Sequence, residues 1–338
     1  MQNIDDILRQ PLQIGPVTAR NRVFLAPLSG ISDLPFRQLA WRHGAGLVFT
    51  EMVASRELVI DHPESHARLR GDGIKPHVVQ LAGREARWMG EAAKIAEDAG
   101  AAMIDINMGC PAKKVTGGYS GSALMRDPDH ALDLIEATVK AVSVPVTLKM
   151  RLGWDHDTLN APLIAARAQA AGVRMITIHG RTRMQFYKGE ADWDAIARVR
   201  DAITVPLIAN GDITSRADIA ECLRRSGADA VMIGRAAQGQ PWICGELAGS
   251  PDVPVNRQAR HAVALEHYRS MIAHYGDDVG VRHARKHIGW YLETLAPQTL
   301  SPQKVRMMTS NSADDVFEIF AEVLEAAAAL PSMLESAA

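Results

Sequence analysis

Short apolar runs alternate with longer helix-like stretches along most of this chain. The runs at 23–26, 47–51, 77–82, 103–107, 145–150, 175–179, 206–210 and 230–233 have the length of strands buried on both faces. Between them, 84–99, 128–142, 160–171, 192–202 and 215–226 read as helices. Gly100, Gly172 and Gly227 fall just before the next strand, where a helix C-terminus calls for a left-handed residue. Asp192 and Ser215 are suited to cap helix N-termini. Eight strands, each followed by a crossover, predict an α/β fold of the (β/α)8 TIM-barrel type. A doubly wound open sheet is the runner-up, but it would carry G-x-G-x-x-G after its first strand. Here that strand is followed by Pro27-Leu28-Ser29-Gly30.

The alternation stops near Gly249, at the turn-rich Gly249-Ser250-Pro251-Asp252-Val253-Pro254. Beyond it, 257–275, 280–295 and 313–330 look helical and no strand follows. The chain therefore divides into a barrel domain, 1–249, and a small all-α C-terminal domain, 255–338. The early helices of that second domain are basic, with Arg282, Arg285 and Lys286 close together.

Composition narrows the class. Of 338 residues, 47% are apolar, enough to build a large core without disulfides. Net charge is −2, so nothing global marks a nucleic-acid partner, although local patches can override that balance. Three scattered cysteines form neither a metal pattern nor a disulfide framework and fit a reducing cytoplasm. The first 15 residues lack the apolar core of a signal peptide, and no run reaches the ~20 residues of a membrane span. A cytoplasmic protein with no membrane partner, no metal and a monomeric state is expected.

Chemistry gathers at the predicted strand ends, where a packed barrel interior has no use for polar side chains. The segment Asn107-Met108-Gly109-Cys110-Pro111-Ala112-Lys113-Lys114 follows strand four and holds a lone thiol between Gly and Pro. Gln80 ends strand three, Lys149 strand five, and His179, Arg181 and Arg183 strand six. Asn210-Gly211-Asp212 and Gly234-Arg235 follow strands seven and eight, the usual phosphate-binding place in this fold. Small residues, backbone N–H groups and one guanidinium suit a mononucleotide phosphate. A buried lysine such as Lys149 suits the negative charge of a reduced flavin ring, and an amide such as Gln80 its donor–acceptor edge.

Met-Gly-Cys-Pro-Ala-Lys-Lys-Val, Ala-Asn-Gly-Asp-Ile, Ile-His-Gly-Arg-Thr and Met-Ile-Gly-Arg-Ala resemble the tRNA-dihydrouridine synthases, most closely the bacterial DusB type. The resemblance runs from Arg20 to about Leu295. The cysteine motif is specific to that family, whereas the phosphate loops are shared with other flavin barrels. The resemblance implies an FMN-binding TIM barrel followed by a helical tRNA-binding domain, with NADPH as reductant. It implies flavin contacts from Pro27, Leu28, Ser29, Gln80, Lys149 and His179, and a ribityl-phosphate site of Asn210, Gly211, Asp212, Gly234 and Arg235. It further implies reduction of the C5=C6 bond of a D-loop uridine, with hydride from FMN N5 to C6 and a proton from Cys110 to C5. An ordinary thiol is mostly protonated near neutrality, as that role requires. Asn107 is expected at the uracil edge, with Lys113, Lys114, Arg181, Arg183, Arg282, Arg285 and Lys286 on the RNA. One departure is visible: the first loop reads Pro27-Leu28-Ser29, where relatives often have Pro-Met-Ala. Two other readings remain open: a flavin oxidoreductase on a free pyrimidine or enone, and a non-catalytic tRNA-binding protein.

Overall fold

The computed structural model describes residues 3–329, apart from the side chains of Lys114 and Ser301. Its strands are β1 (Leu12–Ile14), β2 (Val17–Ala19), β3 (Val23–Leu25), β4 (Val53–Ala54), β5 (Val78–Ala82), β6 (Met103–Met108), β7 (Val146–Arg151), β8 (Ile176–His179), β9 (Leu207–Asn210) and β10 (Ala230–Ile233). The helices of the barrel are α1 (Ile4–Arg9), α2 (Leu34–Arg42), α3 (Ser55–Val59), α4 (Pro63–Leu69), α5 (Ala86–Asp98), α6 (Lys113–Thr116), α7 (Pro128–Ala141), α8 (Ala161–Ala170), α9 (Trp193–Arg200), α10 (Arg216–Ser226) and α11 (Ile243–Ala248). Four more follow: α12 (Arg257–Tyr275), α13 (Asp277–Leu295), α14 (Ser301–Thr309) and α15 (Ala313–Ala328).

Strands β3 and β5–β10 run parallel, with β3 paired to β10 at one end of the sheet and β4 to β5 at the other. The predicted second strand, 47–51, closes the ring only through isolated bridges, Leu25 to Val48 and Phe49 to Val78. Its ladder breaks because the Gln80 N–H donates to the Thr50 hydroxyl at 2.9 Å, where a regular strand would offer a carbonyl. The result is a (β/α)8 barrel with one thin stave.

The helix ends follow the expected chemistry. Asp192 and Ser215 cap α9 and α10 with their side chains, and Ser215 forms a reciprocal capping box with Asp218. Gly100, Gly172 and Gly227 all have positive φ. The buried apolar residues form three clusters. One lies between the strands and the surrounding helices. A second fills the barrel, where Phe24, Phe49, Val78, Met103, Met175, Ile208 and Met232 sit above Leu12 and Ile14 from the β1–β2 hairpin. The third binds α12, α13 and α15 to one another and takes in Leu39 of α2 and Trp242, which seats the helical unit on the barrel.

Above the apolar filling, register places polar residues side by side. Gln80, Asp105 and Thr147 are neighbours across β5, β6 and β7. One layer higher, Asn107 pairs with Lys149. Arg151, His179 and Asn210 follow across β7, β8 and β9. The barrel's carboxyl end is thus polar by construction. Among the described residues, no helix is long and apolar enough to cross a membrane.

Candidate active site at the carboxyl end of the barrel

Cys110 is held from both sides of its backbone. Its N–H donates to Asn107 Oδ1 at 2.8 Å. Its carbonyl accepts from the Ser122 N–H at 3.1 Å and the Ser122 hydroxyl at 2.9 Å. Gly121 has φ +60°, and a Cβ there would stand 2.8 Å from the Cys110 carbonyl oxygen, so glycine lets the two segments close. The thiol is partly exposed and makes no disulfide, whereas Cys222 and Cys244 are buried in the outer core. Burial pushes the Cys222 thiol up to about 12 and that of Cys244 higher still, so neither is a nucleophile.

Beneath Cys110 runs a chain of amides. Asn107 Nδ2 donates to Gln80 Oε1 at 2.9 Å, and Gln80 Nε2 donates to Asp105 Oδ2 at 2.7 Å. The Thr147 hydroxyl donates to the other Asp105 oxygen at 2.6 Å. Asp105 is fully buried. Burial raises its pKa to about 6, against the pull of the Thr147 and Gln80 hydrogen bonds and the Lys149 charge.

Lys149 is buried at the next level and donates to Asn210 Oδ1 at 3.2 Å. Burial first, and the Arg151 charge second, lower its pKa to about 8. Arg151 ties the cysteine loop to the loop after β8. Its Nε donates to the Gly109 carbonyl at 2.8 Å, and its NH1 to the Thr182 and Phe186 carbonyls, both at 2.8 Å. His179 is driven well below the ordinary histidine range by burial and by the charges of Arg151, Lys149, Arg181 and Arg235. It is neutral at physiological pH.

The two glycine-bearing loops meet at Asp212. Its carboxylate accepts from Arg181 at 2.5 Å, from the Ala191 N–H at 2.8 Å and from Arg235 at 3.4 Å. Asp212 adopts φ +55° and Gly211 φ +123°. Asn210 anchors the loop from below by donating to the Met232 carbonyl at 2.8 Å. Around Gly234 there is open space, with Asn210 Nδ2 at 3.9 Å as the nearest atom to a built Cβ. Arg235 keeps a side chain 53% exposed. Arg181, by contrast, is 2% exposed and also donates to the Lys188 and Gly189 carbonyls. It braces the loop after β8 and turns no free face outward.

In the first loop, the Leu28 N–H donates to the Ser32 hydroxyl at 2.7 Å and the Gly30 N–H to Glu51 at 2.5 Å. Pro27 and Leu28 are half-buried, and Ser29 is exposed. Lys286 of α13 reaches this loop, its Nζ 3.3 Å from where a Gly30 Cβ would stand. Arg285 instead donates to the Ser310 carbonyl and to Asn311 Oδ1, holding α13 to the turn before α15. Arg282 and Lys113 are exposed. Arg183 is half-buried with its guanidinium 4.9 Å from the Trp154 ring and a bond to Thr116 at 3.4 Å. The side chain of Lys114 lies outside the described residues.

Three residues at this end are not singled out by sequence reasoning. Asp105 is hidden inside an apolar run. Glu51 ends the thin stave. Tyr187 stands between Arg151 and Arg235, whose guanidinium carbons lie 5.6 and 5.1 Å from its ring centroid. A signal for Tyr187 does exist in the adjacent pair Phe186-Tyr187 in a polar loop, where no helix or strand period accounts for two aromatics.

The barrel, with a buried ammonium, a fixed thiol and two phosphate-sized loops at its carboxyl end, defines an α/β-barrel enzyme scaffold. The chain belongs to the dihydrouridine synthase (Dus) family, whose model matches residues 24–328. It is 64% identical over 312 residues to a probable tRNA-dihydrouridine synthase of Rhizobium leguminosarum bv. phaseoli, covering 92% of this chain and 98% of that protein. It is 45% identical over 292 residues to tRNA-dihydrouridine synthase B of Pseudomonas aeruginosa, covering 84% and 87%. Among solved structures, histamine dehydrogenase from Rhizobium sp. 4-9 superposes with a TM-score of 0.58 at 16% identity, over 85% of this chain and 51% of that one. TcOYE superposes with a TM-score of 0.54 at 14% identity, over 75% and 96%. These likenesses concern the fold alone.

Proposed function

We propose that this protein is an FMN-dependent tRNA-dihydrouridine synthase that uses NADPH to reduce the C5=C6 bond of a D-loop uridine. The observation that carries the reading is a backbone-anchored Cys110 just past the end of β6, at the same barrel mouth as Lys149, which stands in register with Asn107 on the adjacent strand. Family membership and the names of the relatives support the same reaction.

The residues fit a flavin mononucleotide. Lys149 makes no ion pair among the described residues, so its ammonium is free to meet a ring that gains negative charge. Gln80 has no exposed surface and gives its amide to Asp105 and Asn107, so it supports the ring site from below through Asn107. His179, being neutral, can face the ring edge without adding charge. The open space at Gly234, the half-exposed Arg235 and the braced Gly211-Asp212 turn suit a phosphate. The Pro27-Leu28-Ser29 loop would lie against the ring. Reduced FMN, when bound, supplies the hydride to uracil C6.

The chain's own residues do the rest. Cys110 gives its thiol proton to C5, and Asn107 offers its remaining Nδ2 hydrogen to a uracil carbonyl. The barrel, 1–249, is the catalytic domain and the helical unit, 255–338, the tRNA-binding domain. Arg282, Lys286, Lys113, Lys114 and Arg183 are assigned to RNA. Arg181 is assigned to bracing because its guanidinium bonds within the protein through every nitrogen, and Arg285 because its NH2 group ties α13 to Ser310 and Asn311. The target base must leave its stack to reach the mouth.

Purified protein is expected to be yellow and to release FMN on denaturation. NADPH should bleach it, and tRNA lacking dihydrouridine should restore the colour. A protein that takes up no flavin contradicts the reading. Reoxidation by free uridine but not by tRNA points to a small-molecule substrate.

A further inference from the structure

We infer that Asp105 is a positioning residue that sets the direction of the amide chain under Cys110, and so determines which atom of Asn107 faces the thiol loop and which faces the uracil. The inference deepens the proposed reaction and rests on it for its catalytic consequence.

Donors and acceptors decide the direction of the chain. An amide side chain is nearly symmetric in shape but not in polarity, so a chain of amides can run in either direction. A carboxylate removes that freedom because it only accepts. Asp105 takes the Thr147 hydroxyl on one oxygen and Gln80 Nε2 on the other. Gln80 must then present Oε1 to Asn107, and Asn107 must present Nδ2 to Gln80. That leaves Asn107 Oδ1 to accept the N–H groups of Cys110 and Gly109, at 2.8 and 3.3 Å. Reversing the chain would set Asn107 Nδ2 against those two N–H groups, donor against donor.

Burial makes the arrangement consequential. Asp105 and Gln80 have no exposed surface and Asn107 is 6% exposed, so water cannot replace a lost partner. A fully buried carboxylate in the middle of a strand is costly unless it is hydrogen-bonded. Here it makes two hydrogen bonds, and both lead into this chain or its anchor. With its pKa near 6, Asp105 carries its charge at pH 7.5, as an acceptor-only terminus requires.

The test moves the acceptor one step along the chain. Asp105→Asn alone lets residue 105 face Gln80 with either its oxygen or its NH2, so the direction is then held from one end only, by the Cys110 and Gly109 N–H groups. In the double variant Asp105→Asn with Gln80→Glu, the carboxylate at position 80 accepts both from the new amide at position 105 and from Asn107. The direction at Asn107 is then restored.

In full-length FMN-loaded enzyme at pH 7.5, hydrogen exchange at the Cys110 amide should quicken at least fivefold in the single variant and return toward wild type in the double. The single-variant rate at saturating tRNA should fall about 10- to 100-fold, with the KM for tRNA and the Kd for FMN within threefold. A single variant with wild-type protection at Cys110 and wild-type kcat overturns the inference. So does a double variant that melts like wild type yet leaves Cys110 unprotected. If the wild-type enzyme reduces no uridine in tRNA, the proposed reaction falls, while the exchange readout still decides the direction of the chain.

Discussion

Lys149 donates to Asn210 at 3.2 Å, so a buried ammonium rests on a neutral amide at the barrel mouth. Its pKa is lowered to about 8, first by burial and then by Arg151. The unfolded chain binds the extra proton between about pH 8 and the ordinary 10.5, so this group's contribution to stability rises with pH across that window. Below pH 8 the folded protein bears the full cost of the buried charge. Replacing Lys149 with Met is therefore expected to raise the flavin-free melting temperature at pH 7 by a few degrees, while uridine reduction falls at least 100-fold. In wild type the rate should decline as pH passes about 8, and Lys149→Arg should move that limb upward. A limb that stays in place detaches it from Lys149.

Gly211 offers a test of the phosphate loop. At φ +123°, an added Cβ would come within 2.8 Å of Ala191 Cβ and 3.0 Å of His179 Cδ2. Gly211→Ala should cost about 1–3 kcal/mol and lower FMN content in the purified protein. Differential scanning calorimetry and the flavin-to-protein absorbance ratio check both. A variant of full stability and full flavin content would remove the loop from the cofactor site.

Arg235 discriminates phosphate from ring. Its side chain is half exposed and shares Asp212 with Arg181, so its loss leaves the brace intact. Arg235→Ala should weaken FMN binding about tenfold and leave riboflavin binding nearly unchanged. Equal losses for both ligands would move its role away from the phosphate.

Much of this architecture is legible in the sequence. Strands buried on both faces are continuous apolar runs, and helix ends carry side-chain caps and glycines, so the barrel and its mouth follow from pattern. Two kinds of feature are not legible. The β1–β2 hairpin is too short and too polar to announce itself, with Gln13 and Thr18 facing each other across the pair. Asp105 is hidden because a single acid inside Met103-Ile104-Asp105-Ile106 reads as an interruption, and its partners lie on β5 and β7, 25 and 42 positions away. Arg181 misleads in the opposite sense. A strand-end arginine looks solvent-facing until Asp212, 31 residues on, is found to bury it.

The RNA surface is tested by charge reversal. Arg282 and Lys113 are exposed, the first on α13 and the second at the start of α6. Arg282→Glu and Lys113→Glu should each weaken tRNA binding about 3- to 10-fold and flatten its salt dependence, without changing FMN content. Reversal at Arg285 should instead destabilise the helical unit, because its guanidinium ties α13 to Ser310 and Asn311. Filter binding across a salt series, with thermal melts alongside, separates the two outcomes.

The most direct test of the central claim is site-by-site dihydrouridine content, by mass spectrometry, in tRNA from cells lacking this gene. The same strain would be complemented with wild type or Cys110→Ala. Loss of dihydrouridine at defined D-loop positions, restored by wild type and not by Cys110→Ala, is the predicted result. Unchanged dihydrouridine in the deletion strain, with no second synthase present, would contradict it.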